Sequence, residues 1–228
     1  MALCAFFSNF HFIIADQMPK SYRNPKVRCA EYSFSLLDTL HESCYTEPSI
    51  LKGDERMNRQ TIYLAGGCYW GVEKYMQMIP GVLETEVGFA NGDTLNPTYQ
   101  QVRYENTGHA ETVRVVYDAE VLALDKLLRL FFRIIDPVSV DQQGEDVGHQ
   151  YRTGVYHENK ADAEVIRAEL LKLEKQVGKP LAVESCALAH FFPAEEYHQK
   201  YLDKNPTGYC HVPWAMIHAV KDVKLEEI

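Results

Sequence analysis

The sequence has no long apolar run and fewer basic than acidic residues. Its 228 residues contain 23 Lys and Arg against 32 Asp and Glu, a formal net charge of −9. A membrane span needs roughly 20 consecutive apolar residues, so we expect no membrane segment. The negative charge and the lack of a basic cluster argue against a nucleic-acid partner. With 46% hydrophobic and 24% charged residues, the composition is otherwise that of a globular protein.

Cysteine is too scarce for a disulfide-stabilised scaffold, because the whole chain contains only six. It has no Cys-X-X-Cys or His-Glu-X-X-His motif, and its nine histidines are scattered, so we expect no metal site. The cysteines are unevenly distributed. Three lie in the first 44 residues, and Cys68, Cys186 and Cys210 follow. Their surroundings must decide which are structural and which are reactive.

The first 56 residues differ in pattern from the rest of the chain. They show no sustained helical or strand period, and the apolar stretch 1–15 lacks the basic start of a signal peptide. We therefore expect a poorly ordered N-terminal extension. A more specific hypothesis is that translation starts at Met57, because codons for Lys52-Gly53-Asp54 can form a bacterial ribosome-binding sequence. Residues 57–228 would then be the whole protein.

From Met57 onward, apolar runs typical of strands alternate with segments of helical period. This interleaving predicts a single α/β domain built as a layer sandwich. The segment from Asn205 to the end is predicted as coil, because it contains Pro and Gly and no sustained period. The predicted strands are 61–65, 82–89, 111–117, 154–156 and 181–187, and the predicted helices are 69–78, 122–135, 159–177 and 194–202.

Cys68 lies where a predicted strand gives way to a predicted helix. Gly66 and Gly67 precede it, and Tyr69 and Trp70 follow it. A helix N-terminus presents free N–H groups and a partial positive charge, and both favour the thiolate. This pattern predicts a reactive cysteine with a lowered pKa beside an aromatic wall. The alternative is a small buried cysteine behind a glycine turn, with the indole in the core.

Three further polar stretches are candidates for the same site. Glu111 begins an apolar strand, where burial would raise its pKa and keep it protonated, although most strand carboxylates face solvent. Asp146 and Tyr151 belong to a polar stretch that forms part of a site or is an ordinary loop. Cys210, beside Tyr209, lies in the predicted coil, where it is an accessible functional thiol or a bystander.

Taken together in their order along the chain, the stretches around Cys68, Glu111, Tyr151 and Cys210 resemble the class A peptide methionine sulfoxide reductases. The resemblance covers about residues 59–212. The resemblance implies an α+β two-layer sandwich, with a mixed sheet, flanking helices and a ferredoxin-like plait. It also implies that residues 57–228 are the catalytic domain of a cytoplasmic monomer. The motifs that carry it are Gly67-Cys68-Tyr69-Trp70-Gly71, Asn96-Pro97-Thr98-Tyr99, Thr107-Gly108-His109-Ala110-Glu111, Gly148-His149-Gln150-Tyr151-Arg152, Glu195-Glu196-Tyr197-His198-Gln199 and Asn205-Pro206-Thr207-Gly208-Tyr209-Cys210.

The resemblance implies thiol-dependent reduction of methionine S-sulfoxide, free or in oxidised proteins, as part of protein repair under oxidative stress. Cys68 would attack the sulfoxide sulfur, and Glu111 would protonate the oxygen. Cys210 would then form a disulfide with the resulting sulfenic acid. Thioredoxin would reduce that disulfide, and no cofactor would be bound. The implied substrate-binding residues are Tyr69, Trp70, Phe89, Asp146, Tyr151 and Tyr209.

Two aromatic positions depart from the family pattern. Tyr69 stands where the family usually has Phe, and Phe89 stands where it commonly has Tyr. A hydrogen bond to a charged group contributes about 1.5–3 kcal/mol, so loss of the hydroxyl at Phe89 predicts a weakened but working site.

Two alternatives stay open at this level. Cys186 could be the resolving thiol, although its apolar surroundings favour a buried small hydrophobe. Cys68 could instead serve a Cys–His hydrolase or acyltransferase, with a base drawn from His109, His149 or His198.

Overall fold

The computed structural model describes residues 57–228, so the predictions made for residues 1–56 lie outside the described part of the chain. Within 57–228 there are eight strands and six α-helices, with two short 3₁₀ turns. The strands are β1 (Arg59–Gly66), β2 (Val82–Ala90), β3 (Ala110–Asp118), β4 (Gln142–Gln143), β5 (Asp146–Val147), β6 (Thr153–His157), β7 (Glu184–Ala187) and β8 (Phe191–Pro193). The helices are α1 (Tyr69–Gln77), α2 (Tyr99–Tyr104), α3 (Leu124–Phe132), α4 (Lys160–Val177), α5 (Tyr201–Lys204) and α6 (Trp214–Val220).

The main sheet has the strand order β7-β6-β1-β3-β2-β8. β6 and β7 pair in parallel and the other neighbours pair antiparallel, which makes the sheet mixed. Its four central strands and the helices α1 and α3 follow the chain order β1-α1-β2-β3-α3-β6. This is the βαββαβ order of a ferredoxin-like plait. The predicted fold class is confirmed, with β7 and β8 added at the two edges.

Strand alternation divides the side chains between the two faces of the sheet. On β1, Ile62 and Leu64 are fully buried against the helix layer, while Tyr63 and Ala65 belong to a smaller cluster on the opposite face. The helices bury their apolar sides against the first face. On β3 the same alternation places Glu111 in phase with Val113 and Val115, so its side chain enters the helix face.

Several element predictions were wrong in the C-terminal part. Residues 194 and 195 are irregular and residues 196–200 form turns, and only Tyr201–Lys204 are helical. The helical spacing of Ala194, His198 and Leu202 arises because all three are buried in a turn-rich segment. Conversely, the predicted coil contains α6, which begins directly after Pro213. No helix in residues 57–228 has the length and apolarity needed to cross a membrane.

Candidate active site

Cys68 is held at the junction of β1 and α1 by a glycine turn. Gly67 has a φ of +85°, a conformation that L side chains rarely adopt. A Cβ at Gly67 would also lie 2.6 Å from the Cβ of Gln143. Cys68 itself occupies the N-cap position of α1 and is only 6% exposed. The turn therefore needs glycine for two reasons, and it places the thiol beneath the loop that contains β4.

A cavity of about 290 Å³ opens beside this thiol. It draws its walls from α1, α2, β3, the β4–β5 segment and the C-terminal chain, so folding brings distant stretches together. All the predicted site residues line it except Phe89 and Cys210. The lining residues are Cys68, Tyr69, Trp70, Tyr99, Arg103, Glu111, Glu145, Asp146, Tyr151 and Tyr209.

Glu111 is the buried carboxyl of the cavity, and it is 2% exposed. Its Oε2 accepts a hydrogen bond of 3.1 Å from the backbone N–H of Tyr69. Burial raises the pKa of Glu111 to about 8, and the charge of Asp146 adds to the rise, while the Tyr69 N–H opposes it. As expected from its place at the start of an apolar strand, Glu111 holds a proton at neutral pH.

The ionisation of Cys68 differs from the sequence-based expectation. Burial raises the pKa of the Cys68 thiol well above its ordinary value, and the nearby Glu111 raises it further. The backbone N–H of Trp70 acts in the opposite direction. The prediction of a lowered pKa was wrong, because desolvation of an almost fully enclosed thiol outweighs the N–H groups at the helix start. The resting site therefore pairs a neutral thiol with a neutral carboxylic acid.

The apolar wall of the cavity is rigidly supported from behind. The indole Nε1 of Trp70 donates a hydrogen bond of 3.2 Å to Nδ1 of His198. The same indole stacks on Tyr201 at 3.7 Å between ring centroids, with an interplanar angle of 13°. The ring of Tyr69 packs on Phe89, with centroids 6.0 Å apart. Trp70 and Tyr69 thus present fixed aromatic surfaces beside the sulfur.

Phe89 supports the site without lining it. It is fully buried on β2, where it pairs with Glu111 across the β2–β3 ladder. Its ring lies behind Tyr69, so the predicted direct contact with substrate is replaced by support of the wall. The other departure from the family pattern adds a hydroxyl, at Tyr69. Its oxygen is buried and has no hydrogen-bond partner within residues 57–228.

The opposite wall is polar. The hydroxyl of Tyr209 donates a hydrogen bond of 2.9 Å to Oδ2 of Asp146. Burial raises the pKa of Tyr151, and the charge of Glu111 acts in the same direction, so its phenol stays protonated and can donate. The Tyr209 hydroxyl is already engaged with Asp146, so on this side of the cavity Tyr151 is the phenol that can donate to a polar group on a ligand.

Tyr99 and Arg103 also line the cavity, although the sequence motifs did not predict them as site residues. Both come from α2, where Arg103 donates a hydrogen bond of 2.9 Å to the Tyr99 hydroxyl. A signal was present in the sequence, because Thr98 and Gln101 have the spacing of a capping box and form one here. That motif predicts a helix start directly before Tyr99.

Cys210 lies against the first turns of α1. Its Sγ is 3.2 Å from the position that a Cβ on Gly71 would occupy, and it donates a hydrogen bond of 3.1 Å to the Val212 carbonyl. The thiol is half-buried and held in place, close to the helix that begins at Cys68. Glycine at position 71 leaves the space for this approach.

Cys186 is placed differently. It lies on the edge strand β7 and packs with the smaller cluster on the sheet face opposite the helices, which includes Tyr63 and Tyr156. Its Sγ accepts a hydrogen bond of 3.6 Å from the Asn91 side chain. This location separates it from the Cys68 cavity, which lies on the helix side of the sheet.

These residues and this fold can be compared with known proteins. The sequence model of the family described as peptide methionine sulfoxide reductase matches residues 60–227. The chain belongs to this family. A peptide methionine sulfoxide reductase MsrA from Lachnoclostridium phytofermentans is 56% identical over 166 residues, covering 73% of this chain and 99% of the relative. An MsrA from Ureaplasma urealyticum is 48% identical over 153 residues, covering 67% of this chain and 93% of the relative.

Solved structures show the same relationship. Reduced Mxr1 from Saccharomyces cerevisiae is 35% identical and superposes with a TM-score of 0.65, covering 70% of this chain and 92% of Mxr1. Methionine sulfoxide reductase A of Corynebacterium diphtheriae is 38% identical, with a TM-score of 0.62, covering 70% of this chain and 80% of that one. The predicted family and enzyme class are confirmed: the protein is an oxidoreductase that reduces methionine sulfoxide by thiol chemistry.

The competing hydrolase interpretation needs a histidine beside Cys68. None of its three candidates, His109, His149 and His198, is among the residues that line the cavity. Within residues 57–228, no group of three or more His, Cys, Asp or Glu side chains is arranged to hold a metal ion.

Proposed function

We propose that this protein reduces the S epimer of methionine sulfoxide, with Cys68 as the nucleophile, Glu111 as the acid and Cys210 as the resolving thiol. The observation that carries the proposal is the enclosed pair of Cys68 and Glu111. A hydrogen bond from Tyr69 N–H joins the start of α1 to this carboxyl, in a cavity with one aromatic and one polar wall.

Reduction begins with a proton-coupled attack on sulfur. Glu111 donates its proton to the sulfoxide oxygen while the Cys68 sulfur attacks the sulfoxide sulfur. The thiol proton of Cys68 then returns to the carboxylate, so the pair ends in its starting charge state. The attack forms an S–S bond between Cys68 and the substrate sulfur. The oxygen, carrying the proton from Glu111, then transfers to the Cys68 sulfur as that S–S bond and the substrate S–O bond break, so methionine leaves as a thioether and Cys68 becomes a sulfenic acid. The enclosed site suits this exchange, because neither charged form is stable there alone.

The two walls orient the substrate for that attack. The rings of Tyr69 and Trp70 provide apolar contact for the methyl group on the sulfoxide sulfur. The Tyr151 phenol is available to hydrogen-bond the oxygen, and Asp146 with Tyr209 fixes the polar side. Methyl on one side and oxygen on the other define a handed arrangement at sulfur, which supports selection of one epimer.

The second step forms a disulfide and returns the enzyme for another cycle. Cys210 attacks the sulfenic acid from its place beside α1 and releases water. Its partial exposure leaves the product disulfide accessible to an external dithiol. We propose thioredoxin as that reductant, since a small dithiol protein reduces such accessible disulfides by exchange.

The setting of the enzyme follows from the same features. Cys68 and Cys210 are present as thiols and not as a disulfide, which suits a reducing cytoplasm, and the reaction suits repair of proteins after oxidative stress. We propose that the protein acts as a monomer, since the residues given roles in the reaction come together within one chain. Residues 57–228 are proposed as the complete catalytic domain.

A coupled assay tests this proposal. Purified protein is given thioredoxin, its reductase and either epimer of a methionine sulfoxide peptide, and the consumption of reducing equivalents is followed. We expect turnover with the S epimer and little with the R epimer. Equal rates with both epimers, or no thioredoxin-dependent turnover, would contradict the assignment.

A further inference from the structure

His211 is a buried side chain beside the reacting thiols that the steps above do not use. Its side chain is only 5% exposed. The Gly66 carbonyl is close enough to the ring to affect its pKa, but neither ring nitrogen makes a hydrogen bond of normal geometry within residues 57–228. Buried polar atoms without partners are uncommon in folded proteins and call for an explanation. The residue directly follows Cys210 in the chain.

The imidazole lies between the two glycines that flank Cys68. Its Nε2 is 3.3 Å from the position a Cβ on Gly67 would occupy. Its Nδ1 is 3.2 Å from the corresponding position on Gly71, and Cys210 Sγ is also 3.2 Å from that point. The ring and the resolving sulfur therefore approach the same spot on α1, one turn after the nucleophile.

Asp146 completes the arrangement. Its Oδ2 is 3.9 Å from His211 Nδ1 and accepts a hydrogen bond from Tyr209. Burial lowers the pKa of His211, while the charge of Asp146 and the carbonyl of Gly66 oppose that shift. At neutral pH the ring is therefore uncharged and able to accept a proton, and the carboxylate is placed to stabilise the imidazolium that would form.

We propose that His211 is the general base of the resolving step: it takes the proton of the Cys210 thiol as that sulfur attacks the sulfenic acid on Cys68. In the resting structure the Cys210 thiol donates to the Val212 carbonyl, so the S–H must turn toward Nδ1 of His211 for this transfer. Carboxylate, imidazole and thiol would then form the kind of relay by which enzymes activate weak nucleophiles. A base is needed here because burial raises the pKa of the Cys210 thiol, which leaves little thiolate at neutral pH.

The step balances without any added reagent. The Cys210 S–H bond breaks, and its electron pair forms the S–S bond with Cys68. The S–O bond of the sulfenic acid breaks, and the oxygen departs as water with the proton that His211 received. The Cys210 sulfur is oxidised and the sulfenic sulfur is reduced. The inference rests on the proposed function, because that function supplies the sulfenic acid.

A single-turnover experiment separates the two steps. Reduced full-length protein is mixed with excess methionine S-sulfoxide without reductant. Methionine release reports sulfenic acid formation, and the loss of alkylatable thiols reports the disulfide. The variants are His211→Asn, which keeps the size and polarity of the ring, and His211→Ala, which leaves space for added imidazole. His218→Asn is the matched control, because His218 is an exposed histidine on α6.

We expect the ratio of disulfide rate to methionine-release rate to fall about 100-fold in both His211 variants, the lower end of general-base effects of roughly 10²–10⁴. Dimedone should trap the accumulated sulfenic acid on Cys68. Added imidazole should speed disulfide formation in His211→Ala and leave His211→Asn unchanged, a response that a purely structural role would not produce. His218→Asn should behave as the wild type.

Two results would overturn the inference. One is a wild-type ratio in His211→Asn. The other is a slowed step in His211→Ala that does not respond to imidazole. If His211→Ala fails to fold, the ratio in His211→Asn decides alone. Failure of the wild type to release methionine would instead contradict the proposed function, so the two outcomes are distinct.

Discussion

At the scale of single residues, burial raises the pKa of both Glu111 and Cys68, which helps the acid and hinders the nucleophile. It raises the pKa of Glu111 to about 8, which keeps the acid loaded with the proton it must donate. It also raises the pKa of the Cys68 thiol, which is less favourable for a nucleophile. The site resolves this conflict if the thiol loses its proton only as Glu111 gives up its own. The chemistry then depends on the pair rather than on a preformed thiolate.

Replacement of Glu111 by glutamine should remove the acid and preserve the shape of the site. A glutamine oxygen can still accept the N–H of Tyr69, so thermal stability should stay close to that of the wild type. Turnover should fall by roughly 10²–10⁴, the usual contribution of general acid catalysis. Initial rates of sulfoxide reduction measure this, with exposed Glu164→Gln on α4 as the control. A near-normal rate in Glu111→Gln would exclude the acid assignment.

The single-turnover rate of methionine formation should decrease as the pH rises through about 8, the value to which burial raises the pKa of Glu111. Below that pH the carboxyl is protonated and active, and above it the proton is lost. Higher pH also favours the thiolate, but Cys68 titrates later because its own pKa is raised, and an ionised Glu111 raises it further. Stopped-flow rates between pH 6 and pH 10 measure the profile. A rate that rises steadily across this range would show that thiolate formation dominates.

The sequence contained enough information to propose Cys68 as the nucleophile and Glu111 as the acid and to predict the raised pKa of Glu111, but not the ionisation of Cys68. Glu111 shares a strand face with Val113 and Val115, so its burial follows from alternation alone. The raised pKa of Cys68 could not be predicted, because it depends on how completely distant segments enclose the thiol. His211 was missed for the same reason. Its importance lies in contacts with Gly67 and Gly71, more than 100 residues earlier in the chain.

At the scale of elements, the turn between β1 and α1 is the part of the fold most tightly coupled to the chemistry. It is predictable from the two glycines before Cys68 and from the change of period that follows. The helices that were missed are short and polar, as in α2, or follow a segment of irregular period, as in α6. The apolar pattern of 194–202 was misleading because a buried turn and a helix can share the same spacing.

Substitution of Gly67 by alanine should damage this turn in two ways. A left-handed conformation costs a non-glycine residue about 1–2 kcal/mol. The new Cβ would also lie 2.6 Å from Gln143, so the β4 segment must shift. Gly178→Ala is the matched control, because Gly178 has a φ of +70° and no atom within 4 Å of the added Cβ.

Thermal unfolding and turnover should distinguish the two alanine variants. Gly178→Ala should lose only the stability that the left-handed conformation costs an alanine. It should keep its turnover, since Gly178 lies at the end of α4. Gly67→Ala should lose more stability and also most of its activity, because the overlap displaces the thiol. If both variants lost the same stability and kept full activity, the expectation for Gly67→Ala would be wrong. The β4 segment would then move away from the new Cβ without displacing the thiol.

At the scale of the whole molecule, the site is assembled from the two layers and the C-terminal chain. The central sheet presents Glu111, α1 presents the nucleophile, and the chain after α5 returns to place Cys210 and His211 against α1. The three cysteines of residues 57–228 divide between the faces of the sheet. Cys68 and Cys210 lie on the helix side, and Cys186 packs on the other face.

Removal of residues 1–56 should leave the reductase activity intact, because Cys68, Glu111 and Cys210 and the whole match to the reductase family lie within residues 57–228. The shortened protein, starting at Met57, should match the full chain in kcat/KM for a sulfoxide peptide and in thermal stability. Side-by-side assays of the two proteins measure this. A large loss of activity in the shortened protein would assign a catalytic or structural contribution to the N-terminal extension.

The division of labour between Cys68 and Cys210 is the central claim, and one measurement tests it most directly. Cys210→Ser is reduced, given excess methionine S-sulfoxide and dimedone, and analysed by peptide mass spectrometry, with Cys186→Ser as the control. We predict one methionine per enzyme and a dimedone adduct on Cys68 in Cys210→Ser, while Cys186→Ser forms its disulfide and carries no adduct. Methionine release without modification of Cys68, or a disulfide in Cys210→Ser, would contradict the account.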